Sequence, residues 1–178
     1  MTDWSQILKE HGGIVWETVS RLVTENADAA DCFQETFIAA FKFSRNQHVR
    51  NWPGLLKRLA TSRALDHLRK RRRNSALSLS AGDSCELEGR IRRPPAVAEE
   101  RELFDRLRDG LASLPPDQAE ACCMRFLEDF SYEQIADELG VTVNHVGVLL
   151  HRARRDLQKQ LAAFSPSPAK PNGSQVGI

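Results

Sequence analysis

The chain has 178 residues and 41% hydrophobic content, enough for one medium or two small folded domains, which excludes a wholly disordered protein. No basic start followed by an apolar run opens it, and no stretch approaches the ~18 apolar residues of a membrane span, so a cytoplasmic protein without membrane insertion is expected. The net charge of +1 conceals a sorted chain: residues 45–73 carry +9, against −4 for 1–44, −2 for 74–110, −6 for 111–140 and +4 for 141–178, which predicts one face for an acidic polymer and others for different partners.

Period-two alternation is scarce and apolar residues recur three and four apart, predicting an all-α fold. A first helix carries Ile7, Leu8, Val15, Val19, Leu22 and Val23. A second starts after Asp28, a candidate N-cap, and runs through Cys32, Phe33, Phe37, Ala40 and Phe41. A third starts around Trp52, with Pro53 suited to the first turn, and turns Leu55, Leu56, Leu59, Ala60, Leu65 and Leu68 inward. These three predict one small domain over 1–73. Residues 74–97 lose the periodicity and collect Ser, Gly and a Pro pair, the composition of a flexible linker. Helical pattern resumes near Glu99 through Leu103, Phe104, Leu107 and Leu111, breaks at Pro115 and Pro116, and restarts with Asp117 near a helix start, continuing to about Glu128. A second domain is predicted over 98–163, and the proline-containing segment 164–178 is expected to be a disordered tail.

Ser131 to Gln134, "SYEQ", fits a capping box, Gly140 suits a left-handed C-cap, and Thr142 caps a following helix whose buried stripe is Val146, Leu149, Leu150, Ala153, Leu157 and Leu161. Two helices joined by such a turn form either a helix-turn-helix or a plain helical hairpin. Arg152, Arg154 and Arg155 lie where they could reach phosphate or simply complement the helix dipole. Lys57, Arg58, Arg63 and Arg69 to Arg73 line a helix with a leucine-rich opposite side, a pattern for phosphate contacts, a solvated charge run or a membrane-surface patch. Trp52 beside it offers either a stacking surface for an unpaired base or a core side chain.

The four cysteines, Cys32, Cys85, Cys122 and Cys123, have no paired metal-ligand spacing, so buried or idle thiols and no metal or cofactor are expected. The five histidines form no H-E-x-x-H pair, and neither a Gly-rich phosphate loop nor a nucleophile elbow occurs, which argues against an enzyme.

Three segments, "DAADCFQETF" (28–37), "RALDHLRKRRR" (63–73) and "LPPDQAEACCMRFLEDFSYEQIADELGV" (114–141), occur in an order and spacing that resembles a bacterial sigma-70 family initiation factor of the small extracytoplasmic-function (ECF) type. The resemblance implies two helical domains and a division of labour. Asp28, Asp31, Gln34, Glu35 and Phe37 would contact core RNA polymerase; Trp52, Lys57, Arg58, Arg63 and Arg69 would open and hold the minus-ten element; and the helix-turn-helix would read the minus-thirty-five element of promoter DNA. It also implies an anti-sigma partner. Two departures qualify the likeness. "LLKRLATS" (55–62) replaces the relatives' W-L-Y-R-I-A-R-N, leaving Trp52 as the nearby aromatic. "VGVLLHRAR" (146–154) replaces V-R-S-R-L-H-R-A-R, so base readout falls to Thr142, Asn144 and His145, with Arg152, Arg154 and Arg155 on phosphates. A helix-turn-helix repressor or activator acting without polymerase is the rival reading.

Overall fold

The computed structural model describes residues 3–80 and 95–162, which form seven α-helices. Helix α1 (Trp4–Leu22) begins where the Asp3 carboxylate accepts from the backbone N–H groups of Ser5 and Gln6, satisfying donors that have no partner inside the helix. Its Val15, Val19 and Leu22 are buried, whereas Leu8, expected inside, is 47% exposed. Helix α2 (Asn26–Asn46) starts two residues before Asp28, with Glu25 at its N-cap. Asp28 is therefore not the cap; it sits in the first turn, where the helix dipole still favours its charge. Helix α3 (Trp52–Ser80) is capped by Asn51, whose Oδ1 accepts from the Gly54 N–H at 3.1 Å. Leu56, Ala60, Ala64 and Leu65 are fully enclosed as α3 runs between the other helices.

Helix α3 continues to Ser80, through seven residues assigned to the linker from sequence, because "NSALSLS" contains no glycine or proline to stop it. Helix α4 (Pro95–Ser113) takes in another three, its proline placed where a missing N–H does no harm. The rest of the expected linker, 81–94, and the expected tail lie outside the described residues.

Helix α5 (Pro116–Phe126) ends short of Glu128, in a turn where Asp129 takes φ +55° and the Phe130 N–H donates to Met124 O at 3.0 Å. Helices α6 (Tyr132–Leu139) and α7 (Val143–Ala162) follow. Their own core is Met124, Phe130, Ile135, Val146, Leu149 and Leu150. The other apolar cluster is shared: it runs from Val15, Val19, Leu65 and Leu68 in the first half into Leu111, Ala119, Cys123 and Leu157 in the second. The two halves thus meet through a continuous core. Leu103 and Phe104, expected inside, are more than half exposed; Phe104 borders a cleft of about 360 Å³ that Leu22, Leu107, Leu111 and Leu127 also line.

Candidate nucleic-acid interface

On α2, Asp31, Gln34 and Glu35 are exposed, and Ile38, 53% exposed, continues their stripe at helical spacing. Ile38 was not singled out from sequence, because an isoleucine in an apolar helix reads as core. Asp28 turns towards α3, its Oδ2 3.3 Å from His67 Nε2. Phe37 lies on the other side of α2, its ring 5.0 Å from that of Phe33 and packed on the shared core. The acidic stripe is therefore Asp31, Gln34, Glu35 and Ile38, with Phe37 supporting it from beneath.

The basic side chains of α3 divide into two groups. Lys70 to Arg73 are exposed, and Arg63, about a third exposed, lies 3.7 Å from Asp66. Lys57, Arg58 and Arg69 instead meet the second half of the chain. Lys57 Nζ lies 2.9 Å from Glu128 Oε2 and 5.6 Å from the centre of the Phe130 ring. Arg58 faces the half-buried Glu138, whose carboxyl burial pushes above the usual carboxylate range while the guanidinium pulls it back. Arg69, its side chain only 16% exposed, donates to Asp66 at 3.1 Å near Cys123, and its Nη2 is enclosed without a hydrogen bond. Gly54 belongs to the same seam: a Cβ there would meet Glu138 Oε1 at 2.5 Å. Trp52 stands edge-on to Trp4, centroids 5.4 Å apart, so its ring is partly committed to packing.

Glu128 joins three elements. Its Oε1 accepts from the Thr18 hydroxyl at 3.0 Å and from Arg21 Nη1 at 3.4 Å, while its Oε2 meets Lys57; Arg21 also donates to the Leu127 carbonyl. None of Thr18, Arg21 or Glu128 carried a sequence signal, since no spacing rule links residues 107 or 110 apart.

The expected caps form in the second half. The Gln134 N–H donates to Ser131 Oγ at 3.2 Å while Gln134 Oε1 accepts from the Ser131 N–H at 2.8 Å. Gly140, at φ +67°, ends α6, with its own N–H and that of Val141 both directed to Ala136 O. Thr142 Oγ1 accepts from the His145 N–H at 3.2 Å, capping α7. The predicted stripe from Val146 to Leu157 is buried, and Leu161 partly so. Outward, Asn144, Val148, His151 and Arg155 form one line with His145 and Arg152 beside it and Arg154 at the opposite edge; all are exposed. His151 joins this surface unannounced by the sequence. Arg155 Nε donates to Asp156 at 3.2 Å. Gly147 faces the Tyr132 ring, which Arg125 covers while donating to the Phe130 carbonyl at 2.8 Å.

Burial pushes the thiols of Cys32 and Cys122 up to about 11 and that of Cys123 higher, so these three are protonated at neutral pH. Among the described residues no group of three His, Cys, Asp or Glu side chains could hold a metal ion, and no helix is long and apolar enough to cross a membrane.

The family model for Sigma-70 region 2 matches residues 7–74, and that for Sigma-70, region 4 matches residues 104–157. The ECF RNA polymerase sigma factor SigE of Mycolicibacterium smegmatis is 31% identical over 96% of this chain, which spans 66% of that protein's length. The ECF RNA polymerase sigma factor SigW of Bacillus subtilis is 24% identical over 83% of the chain and 82% of its own length. Two solved folds are similar at 22% identity. The sigma factor RpoE of Bartonella quintana, in complex with the anti-sigma factor NepR, has a TM-score of 0.52 over 93% of this chain and all of its own; CnrH, in complex with the cytosolic domain of CnrY, has 0.53 over 90% and 88%. The acidic stripe of α2 and the basic run of α3 as far as Arg73 fall in the region 2 match, and α6 with α7 as far as Leu157 in the region 4 match: the chain belongs to the sigma-70 family of RNA polymerase sigma factors.

Proposed function

We propose that this protein is an ECF-type sigma factor that binds core RNA polymerase in the bacterial cytoplasm and directs it to a small set of promoters. The observation that carries this reading is one chain bearing both an exposed acidic stripe, Asp31, Gln34, Glu35 and Ile38, and a capped helix-turn-helix with a polar and basic outer face. The stripe suits a basic surface on the polymerase. On the other domain, Asn144 and His145 supply donors and acceptors for base edges, Val148 an apolar contact for a thymine methyl, and Arg152, Arg154 and Arg155 phosphate contacts. Thr142 contributes less than its exposure suggests, because its hydroxyl already caps α7. With so few readers, selection from random DNA should return a short motif; a long, strongly constrained one would contradict this assignment.

The basic residues of α3 that do not meet the second half of the chain, Lys70 to Arg73 and the Asp66-paired Arg63, support strand holding at the minus-ten element, joined by Lys57, Arg58 and Arg69 once the halves part. The complexes that RpoE forms with NepR and CnrH with CnrY support an anti-sigma partner here as well. The chemistry of RNA synthesis belongs to the polymerase. Reconstitution tests the reading: the purified protein and sigma-free core polymerase should yield promoter-specific transcripts, and Glu35→Arg should weaken polymerase association. Tight duplex binding without polymerase, with no transcripts, would favour a repressor or activator instead.

A further inference from the structure

Glu128 is the one acid among the described residues whose side chain is buried, 3% exposed. Removing a carboxylate from water costs several kcal/mol, a cost met only where donors converge on it. Here a hydroxyl and two cations converge: Thr18, Arg21 and Lys57. All three donors stand on α1 and α3, while the acid arrives from the turn after α5, in the segment that carries −6 against the +9 block holding Lys57. The socket is thus built by one half of the molecule and filled by the other.

The Lys57 ammonium and the Thr18 hydroxyl lie directly on the two carboxylate oxygens, and the Arg21 guanidinium, whose other nitrogen is held by Glu17 at 2.5 Å, stands 3.4 Å from one of them; such a set suits a phosphate as well as a carboxylate. The same helix carries Arg58, Arg63 and Lys70 to Arg73, so a strand whose phosphate entered the socket could continue along basic surface. We propose that Thr18, Arg21 and Lys57 form a binding site for a backbone phosphate of the promoter strand, and that Glu128 occupies it in cis when the two halves are together. Glu128 then acts as an internal competitor of DNA, and Arg21 and Thr18 join the nucleic-acid interface. This rests on the promoter-binding reading above.

The test uses the full-length protein and a labelled single-stranded promoter oligonucleotide, with affinity read by fluorescence anisotropy over a range of salt. Glu128→Gln should bind roughly tenfold more tightly, because a weaker internal competitor raises the fraction of chains whose socket is open. Its slope of log affinity against log salt should steepen by about 0.7, one single-strand phosphate contact. Asp129→Asn, which removes the same charge from an exposed neighbour, should do neither. Adding Arg21→Gln or Lys57→Gln to Glu128→Gln should return the slope to its starting value. Unchanged affinity and slope in Glu128→Gln, or a gain that survives loss of both cations, overturns the proposal. Should Glu128→Gln fail to fold by circular dichroism, Arg21→Gln in reconstituted holoenzyme decides: a promoter complex whose salt slope falls by about one contact supports the socket, and an unchanged slope overturns it. Wild-type holoenzyme that initiates at promoters while these variants behave as wild type sinks the socket alone; wild type that never initiates sinks the promoter reading and the socket with it.

Discussion

Replacing Lys57 by methionine keeps the aliphatic stem over Phe130 and removes the ammonium that lies 2.9 Å from Glu128. The carboxylate then retains the Thr18 hydroxyl and Arg21 at 3.4 Å, and stays as deeply buried. Breaking a fully dry ion pair by deleting one partner costs ~3–5 kcal/mol. Lys57 is 26% exposed and a second cation remains, so about 1.5–3 kcal/mol of unfolding free energy should be lost. Replacing both Lys57 and Glu128 by methionine removes the stranded charge, and should recover all but about 1 kcal/mol of that loss, since buried pairs and well-packed apolar substitutes are often equivalent. Urea unfolding followed by far-ultraviolet circular dichroism on the four members of this cycle gives the coupling directly, about 1–2 kcal/mol between the two positions. If K57M unfolds within about 0.5 kcal/mol of wild type, or the two substitutions add, the carboxylate is solvated and the socket is not the dry site described above.

Glu138→Gln should stabilise the protein at neutral pH. The Glu138 carboxyl titrates above its ordinary value of 4.5 when folded, so between that value and its folded one the native chain holds a proton that the unfolded chain has lost. Raising pH through that window therefore lowers stability; the benefit of glutamine should appear above it and vanish below pH 4 in thermal melts, and the reverse trend would refute the sign. Gly140→Ala meets no atom within 4 Å, so its cost is conformational only, ~1 kcal/mol for a left-handed residue, or a melting point lower by about 2–4 °C. Alkylation at pH 8 should leave Cys32, Cys122 and Cys123 unmodified in the native protein and modify all three in urea, as mass mapping would show.

The features legible in the sequence were local ones. The capping box at Ser131, the turn at Gly140, the Thr142 cap and the stripe from Val146 to Leu157 each depend on residues within a turn or two of one another, and each formed as expected. Two local readings failed for local reasons: Asp28 and Glu25 are both acceptable near a helix start, and nothing in "NSALSLS" compels α3 to stop. Charge sorting was equally visible, as was the family likeness carried by three motifs. What the +9 and −6 blocks face was not. Periodicity assigns an inward side to α3, but it does not tell a solvent-facing basic side from one covered by α5 and α6. That choice depends on whether a distant carboxylate offsets the desolvation of Lys57, and the carboxylate is Glu128, joined to the socket only through the tertiary fold. Composition and spacing offer phosphate contacts as one reading of the basic side of α3; whether Lys57 and Arg69 are exposed enough to make any is decided by long-range packing, because burial energies depend on neighbours in space and sequence rules reach only neighbours along the chain.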